Sequence, residues 1–486
     1  MRLDPPSRAA RPRLTPFALL AIVVLGLSAC ADMSGIQPQA TLRDAASLGL
    51  PAEPGAPVTV DTQWWREFGD EQLNRLVDEA LVTNPSLKIV QARLARAQAG
   101  ADLTHAATGP QLNATLDATR QQYTANGAVP PPLAGTIRES GTAQLTGSWE
   151  LDFFGKNRAA LEAALGNTRA AQADADAARM LLASHVARSY FQLLRLNEQM
   201  GVAQQLLTQR TQALRLVQDR VNAGLDTRLE LRQSEGTLPE ARLQIETLQE
   251  QLTLARNALS ALLGQPNAAL ANDLPALSAI KNIASAAALP SDLLGRRADI
   301  AAARWRVEAA TQDVSSARSQ FYPNINLVAF AGFSSIGLDR LLGAGSEQWG
   351  VGPALRLPLF DGGRLRANLR GKTADLDIAI ESYNAALIDA VREVADQLAS
   401  KQAISRQQVE QQAAQSFAEK AYEIAVQRYE AGLGNYLQVL TAETSVLSQR
   451  RQGVDLAARA LDTQVALMRA LGGGYRADLS AATAHK

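Results

Sequence analysis

Cysteine, histidine and excess charge are scarce in this chain, and each shortage excludes a class of protein. Cysteine occurs once in 486 residues, so one copy cannot form an internal disulfide. Three histidines are too few for a typical His/Cys metal cage. The 48 basic side chains only balance the 48 acidic ones, so the chain lacks the basic footprint of a nucleic-acid-binding protein, and we expect no nucleic-acid partner.

Motifs of catalysis are missing as well. The sequence has no Gly-x-Ser-x-Gly, no phosphate-cradling glycine-rich loop and no His-Glu-x-x-His. We therefore expect no enzyme, no metal centre and no cofactor. Aromatic residues make up only 5% of the chain, while Ala, Leu, Gln, Arg and Glu are abundant, a composition typical of long helices.

Residues 1–29 have the pattern of a secretory signal peptide. Four arginines precede the apolar run 17–27, which is too short to span a bilayer as an ordinary helix. The run ends in Leu27-Ser28-Ala29-Cys30, which resembles a bacterial lipobox, so we predict cleavage before Cys30 and a lipid anchor on its thiol. Ala31 follows, and in bacterial lipoproteins a residue other than Asp at this position favours sorting to the outer membrane.

Residues 30–62 are predicted to form a lipidated N-terminal tether. They are rich in Pro, Ala, Gly and Ser and show no periodic apolar pattern, which is typical of an extended, solvated segment. Order is expected to begin near Trp64. Without the signal peptide the chain carries 44 basic and 47 acidic side chains, so it is slightly acidic.

Comparison of the chain with itself indicates a duplication. Pro110 aligns with Pro323 at an offset of 213, and Leu263-Gly264 aligns with Leu471-Gly472 at an offset of 208. The segments 220–225 and 428–433 both read Arg-x-x-Ala-Gly-Leu at the same offset of 208. We therefore predict two copies of one unit, at residues 63–274 and 275–474, followed by a flexible tail at 475–486.

Each copy is predicted to contain a helix and then two strands. Apolar residues recur at 3–4 spacing through 73–101, which predicts one helix there. Apolar and polar residues alternate in 112–118 and 143–153, and less cleanly in 325–333 and 349–359. This alternation is typical of transmembrane β-strands, although a half-buried soluble hairpin produces it too.

A long helical hairpin is predicted after each strand pair. Residues 157–222 contain no proline, and a helix of that length measures about 100 Å. The returning helices carry apolar heptads, so they should supercoil against neighbours. Pro239 should kink or loosen the first of them. The heptads are Leu231, Leu238, Ile245, Leu252 and Leu259, then Leu440, Leu447, Val454, Leu461 and Met468.

The ordered, duplicated pattern resembles the TolC-type outer membrane efflux proteins, and the lipobox places it nearest their lipoprotein (NodT-like) branch. The resemblance rests on the Trp65…Phe68-Gly69-Asp70 opening, the strand entries at Pro110 and Pro323, the passage 357–363 and the two Arg-x-x-Ala-Gly-Leu turns. It implies a mainly α fold with membrane β-strands, in which each chain has two long α-helical hairpins and two β-hairpins. Four strands cannot close alone, so the resemblance implies a homotrimer with a 12-stranded β-barrel and a 12-helix α-barrel.

The resemblance also implies a function and partners. The expected function is the outer membrane exit duct of a tripartite pump for small toxic compounds or drugs. The expected partners are a periplasmic adaptor (membrane fusion) protein, an inner-membrane RND-type transporter and outer membrane lipid, with the chain extending into the periplasm. Two alternatives stay open: the outer membrane component of a type I protein secretion system, and a non-channel structural coiled-coil lipoprotein.

Candidate site residues follow from the same resemblance. The helix-hairpin tips that contact the adaptor correspond here to Arg220, Ala223, Gly224, Leu225, Arg428, Ala431, Gly432 and Leu433. The family's aspartate-lined periplasmic aperture corresponds to Gln438 and Thr441, so this chain departs from the acidic pattern. Nearby acids that could line an aperture, or lie on solvated helix faces, are Asp226, Glu230 and Glu443.

Overall fold

The computed structural model describes residues 33–43, 60–266, 273–283 and 296–475. The predicted signal peptide, Cys30 and residues 476–486 of the predicted tail lie outside these ranges. The described residues form two similar series of helices and strands. The first series is α1 (Glu71–Thr83), α2 (Pro85–Thr108), β1 (Gln111–Gln122), β2 (Ile137–Leu151), α3 (Lys156–Asn222) and α4 (Arg228–Leu262). The second is α5 (Ala298–Ser319), β3 (Asn324–Ile336), β4 (Glu347–Arg356), α6 (Arg364–Glu430) and α7 (Tyr436–Ala470).

The long helices have the same lengths in the two series. Helices α3 and α6 each have 67 residues, and α4 and α7 each have 35. Helix α4 is continuous from Arg228 to Leu262, with Pro239 inside it. In the part of the chain that the structure describes, no helix is both long and apolar enough to cross a membrane.

Packing divides the chain into two compact units. Of the described residues, one unit contains 33–41, Arg96–Thr168 and Trp305–Glu381, and it includes all four strands. The other unit contains the described residues among 42–95, 169–304 and 382–475, and it includes both turns between long helices.

The four strands form one antiparallel sheet in the order β1-β2-β3-β4. The register places the alternating apolar residues on one face, because Leu145 lies opposite Ala331, and Ala331 lies opposite Trp349. Large exposed apolar side chains continue this face in every strand: Leu112, Leu116, Leu145, Trp149, Leu327, Trp349, Val351 and Leu355. The predicted alternation is confirmed, and β1 and β4 remain unpaired at the two edges of this sheet.

The expected single helix over 73–101 is wrong, because it divides into α1 and α2 at Asn84 and Pro85. Pro85 has no N–H to continue the first helix. The Asn84 side chain instead accepts a hydrogen bond from the Ser86 N–H at 2.8 Å and so caps α2.

An aromatic cluster anchors the helical unit close to where order was expected to begin. A short 3₁₀-helix, Trp64–Phe68, brings the rings of Trp64 and Phe68 together edge to face. The Phe68 ring also packs edge to face against Phe191 of α3, with the ring centroids 5.1 Å apart. Tyr190 donates a hydrogen bond of 2.7 Å to the buried Asp70. Heptad residues of α4 and α7, including Leu259 and Leu461, complete this core.

The long helices are also joined by polar contacts. Helix α3 contacts α7 through Arg195 and Asp455, whose N and O atoms are 2.8 Å apart. Helix α7 contacts α6 through Arg450 and Glu419 at 3.0 Å. Both pairs are partly exposed, so each contributes at most about 1 kcal/mol, and apolar packing supplies most of the stability.

Residues 33–43, called the strap below, correct the expectation of a solvated tether. Ile36 is buried, and the strap makes backbone hydrogen bonds to side chains of α6. Composition favoured a solvated segment because Ile36 is one of few large apolar residues there, and the acceptors that hold the strap lie far away in sequence.

Candidate functional site: the paired hairpin turns

The turn between α3 and α4 has the same backbone as the turn between α6 and α7. Gly224 and Gly432 adopt the left-handed conformation, with φ of 72° and 74°. Matching hydrogen bonds close the two turns: Leu225 N–H to Arg220 C=O at 2.9 Å, and Leu433 N–H to Arg428 C=O at 2.8 Å. These bonds satisfy carbonyls at the helix ends, so the predicted glycine turns are confirmed.

Each turn exposes a pair of leucines four residues apart, one in the turn and one at the start of the following helix. Leu225 and Leu229 of the first turn are 66% and 62% exposed, and Leu433 and Leu437 of the second are 69% and 59% exposed. Ala223 and Ala431 are exposed beside them. Each pair gives its turn a small exposed apolar surface.

A side-chain network links the first turn to the second helical hairpin. Arg220 Nε lies 2.9 Å from Asp226 Oδ2, and its Nη1 donates a 3.0 Å hydrogen bond to the Tyr429 carbonyl. The guanidinium also lies over the Tyr429 ring, 4.6 Å from the centroid. The Tyr429 hydroxyl donates to Asp226 and completes a closed triangle of contacts.

The network shifts the ionisation of its own members. Burial acts to raise the pKa of Asp226, but the bonds from Arg220 and Tyr429 outweigh it and hold that pKa below its usual value. Burial and the bond to Asp226 raise the pKa of Tyr429, so its hydroxyl stays a donor. Asp226 therefore faces Arg220 as a nearly buried partner, and its expected role as an open aperture acid is corrected.

Glu443 is buried, which also corrects its expected place among acids lining an aperture. Its Oε2 lies 3.0 Å from Arg210 Nε, and both side chains are almost fully enclosed. Arg210 Nη1 also donates a 2.8 Å hydrogen bond to the Thr237 carbonyl of α4. Burial raises the pKa of Glu443, and the charge of Arg210 limits that rise.

The other three aperture candidates lie close to the turns. Glu230 accepts hydrogen bonds from the backbone N–H and hydroxyl of Thr227 and forms a capping box, and the Thr227 hydroxyl lowers the Glu230 pKa. Gln438 and Thr441 are exposed on the first two turns of α7. The two positions that carry acids in the resembled family are therefore neutral and accessible here.

Sequence reasoning missed Arg210 and Tyr429. Tyr429 carried a usable signal, because the duplication aligns it with the apolar Val221 at the offset of 208. Glu443 carried one too, since it falls at helical spacing with the apolar positions Tyr436, Val439 and Val446. Arg210 carried none, because its partner is 233 residues away.

No group of His, Cys, Asp and Glu among residues 33–43, 60–266, 273–283 and 296–475 is arranged to hold a metal ion. The predicted lipidation site, Cys30, lies outside these ranges and remains a prediction.

Comparison with known proteins gives consistent matches along the chain. The profile of the outer membrane efflux protein family matches residues 76–265 and 289–473. The multidrug resistance outer membrane protein MdtQ of Escherichia coli O6:H1 is 32% identical over 464 residues, which cover 91% of this chain and 96% of MdtQ.

Solved structures agree. The outer membrane protein VceC of Vibrio cholerae is 37% identical with a TM-score of 0.81, and the match covers 86% of this chain and all of VceC. The open state of the MtrE outer membrane channel of Neisseria gonorrhoeae is 26% identical with a TM-score of 0.76, covering 90% of this chain and 97% of MtrE.

Proposed function

The chain belongs to the outer membrane efflux protein family, and from that premise we propose that it is the exit duct of a tripartite efflux pump. Its location in the outer membrane and its general role in efflux follow from the family. We propose that small toxic compounds, including drugs, are the cargo, since MdtQ carries the name multidrug resistance protein. The remaining parts of the pump are a periplasmic adaptor and an inner-membrane RND-type transporter.

The observation that carries this proposal is the pair of matching turns. The two turns have the same backbone hydrogen bonds, and each exposes two leucines. Each leucine of the first turn corresponds to a leucine of the second at the offset of 208 residues. A single partner surface of repeated units therefore fits both turns equally well. An adaptor with apolar tips has the chemistry to cover these leucines, and the guanidinium of the exposed Arg428 can accompany them at the rim.

Three copies complete the duct in this proposal. The edges of the sheet, β1 and β4, have unpaired backbone groups in one chain, and such groups are too costly to leave open in lipid. Pairing β4 of each copy with β1 of the next would give twelve strands, an even number that suits an outer membrane barrel. Outer membrane lipid would contact the exposed apolar face of the sheet, and acyl chains on Cys30 would add an anchor.

Closure of the periplasmic end is assigned to the network of Arg220, Asp226 and Tyr429. These residues join the first helical hairpin to the second at the turns, so release of their bonds would let the two hairpins separate. Gln438 and Thr441 would then line the aperture as neutral residues, and a neutral ring favours cations less than a ring of carboxylates.

The test replaces one leucine in each turn by a charge. Leu225→Asp together with Leu433→Asp should abolish adaptor binding and efflux while heat-modifiable trimers persist, because both side chains are exposed. Val82→Asp, at an equally exposed apolar residue of α1, is the matched control and should retain both activities. Normal drug efflux by the double variant would refute the assignment of the turns.

Glycine variants separate contact from folding. Gly224→Asp or Gly432→Asp should leave trimers intact and abolish efflux. Loss of the trimer in these variants would show instead that the glycines act only as helix stops.

A further inference from the structure

The strap is held along α6 by side chains that accept from its backbone. The N–H groups of Gln39 and Ala40 both donate to Asp377 Oδ1, each at 2.9 Å. The Arg43 N–H donates to Asn384 Oδ1, also at 2.9 Å. Asp377 and Asn384 are seven residues apart and therefore lie on one face of the helix.

The other end of the strap lies at the start of α6. Arg366, in the first turn of this helix, donates a 3.3 Å hydrogen bond from Nη2 to the Ser34 carbonyl. Between these contacts the Ile36 side chain is 7% exposed. The strap and the helix run in the same direction, since contacts at higher strap numbers meet higher helix numbers.

The lengths of the two segments agree. Ala40 and Arg43, which donate to Asp377 and Asn384, are about 10 Å apart in an extended chain, and the rise between the two acceptors along the helix is also about 10 Å. The end of the strap at residues 40–43 therefore keeps pace with the helix, whereas Ser34 and Gly35 form a turn closed by the Ile36 N–H and the Met33 carbonyl at 3.4 Å. The strap binds the helix through its backbone N–H groups, which every residue except proline has. Its side chains contribute through the buried Ile36.

We propose that Asp377 and Asn384 are positioning residues that dock the strap and fix where the N-terminal lipid enters the membrane. Cys30 precedes Ser34 by four residues, so chain connectivity keeps their Cα atoms within about 14 Å of each other. The lipid is thereby confined to the neighbourhood of the first turn of α6, just after β4. The second half of this proposal rests on the proposed acylation of Cys30, and the docking itself does not.

Without docking, many more residues would separate Cys30 from the first residue that packs against the protein. Without the strap contacts, the next of the described residues that packs against the core is Val60, thirty residues after Cys30. A contact-free chain of that length has a root-mean-square span of about 30 Å, so the anchor would be free to sample a wide area. Docking of the strap therefore shortens the segment between Cys30 and its first contact from thirty residues to four.

Docking is tested with an introduced thiol at the buried position. Ile36→Cys should react with a water-soluble maleimide at least tenfold more slowly than Leu42→Cys, because Leu42 is 56% exposed. Both are measured in full-length protein extracted from membranes in mild detergent. Equal rates at the two positions would overturn docking of the strap.

The role of the acceptors is tested in the Ile36→Cys background. Asp377→Ala with Asn384→Ala should raise the labelling rate to within twofold of that at Leu42→Cys. Asp377→Asn alone should keep labelling slow, because its amide Oδ1 still accepts both bonds. Asp375→Ala is the matched control, since Asp375 is an exposed acid of the same helix, 3.8 Å from Lys372. Unchanged slow labelling of the double variant would overturn the role of the two acceptors.

The lipid is tested separately. Cells grown with a photoactivatable fatty acid should give cross-links on peptides at the start of α6, and Asp377→Ala with Asn384→Ala should reduce them at least fivefold. An unchanged cross-link pattern would overturn positioning of the lipid by the strap. Absence of fatty acid incorporation, with the thiol results intact, would refute acylation of Cys30 and leave docking in place.

Discussion

The two hairpin turns share a backbone and differ in the side chains that surround it. Gly224 and Gly432 have φ values within a few degrees of each other, and the same hydrogen bonds close both turns. Arg220 is nearly buried between Asp226 and Tyr429, whereas Arg428 is exposed and donates to the Leu433 carbonyl of its own turn at 3.0 Å.

Two changes between the copies account for this difference. At the offset of 208, Asp226 aligns with Gly434, and Tyr429 aligns with Val221. The acid is therefore present only in the first copy and the tyrosine only in the second. The duplication retained the surface that displays leucines, and divergence at these positions added a bond between the hairpins.

The buried ion pair of Arg210 and Glu443, further from the turns, also differs between the two copies. Arg210 aligns with Ala418, and Glu443 aligns with Glu235, which is paired on the surface with Arg232 at 2.7 Å. Equivalent glutamates thus occupy a buried site in one copy and a partly exposed site in the other. The burial of Glu443 depends on an arginine that only the first copy supplies.

The largest expected effect comes from removing that arginine. Arg210→Met should destabilise the chain by about 3–5 kcal/mol, because it leaves the Glu443 carboxylate buried without its partner. Thermal dissociation of the trimer, followed by gel mobility, measures the loss. Arg232→Met, which removes the partly exposed partner of the equivalent Glu235, should change stability by at most about 1 kcal/mol.

A double variant sharpens this prediction. Arg210→Met with Glu443→Met replaces both charges by apolar groups and should recover much of the loss. A double variant less stable than Arg210→Met alone would contradict the account of an unpaired buried charge.

Breaking the link between the hairpins should have the next largest effect. Tyr429→Phe removes the donor to Asp226, a hydrogen bond to a charged group that contributes about 1.5–3 kcal/mol. We expect a higher single-channel conductance in planar bilayers as the hairpins separate. Arg428→Ala, which removes a side chain that donates to its own turn, should leave conductance unchanged. The comparison between the turns would fail if both variants opened the channel equally.

Substitution of the turn glycines should have a smaller and equal effect. Gly224→Ala and Gly432→Ala should each cost about 1–2 kcal/mol through left-handed strain alone, since an added Cβ at either position meets no atom within 4 Å. Thermal dissociation temperatures of the two variants should therefore agree. A clear difference between the two dissociation temperatures would show that the two turns are packed differently despite their similar backbones.

The smallest effect is expected from mild acid. The pKa of Asp226 is depressed in the folded chain, so its contribution to stability is present above the unfolded carboxyl pKa and is lost as pH falls through the folded value. Conductance should stay constant from pH 8 to about pH 5 and rise only in stronger acid. A rise near pH 6 would show that another group controls the link. Asp226→Asn provides the pH-independent reference.

Local patterns predicted the repeated elements well. The proline-free run 157–222 matches Lys156–Asn222 almost to the residue, because helix propensity and the turn glycine act within a few residues. The alternation of the strands was also readable, since the register leaves the apolar residues on one face. Asn84 shows the limit of periodicity, because apolar spacing continues across a break that proline imposes.

Contacts between distant segments were not predictable from one sequence. The strap is bonded to acceptors 337 to 341 residues away, and nothing in its own composition indicates them. Arg210 and Glu443 each lie within an ordinary helical pattern, and only folding brings them together. Such pairs depend on which helices become neighbours, which local periodicity does not specify.

The unpaired edges of the sheet have a consequence for biogenesis. All twelve residues of β1 are exposed in the single chain, so each newly exported copy presents a complete template for strand addition. Correct pairing requires encounters between copies, and any other extended polypeptide in the same compartment competes for the same edge. Yield should therefore depend on the local concentration of newly made chains and on periplasmic chaperones that cover β1 and β4 until copies meet.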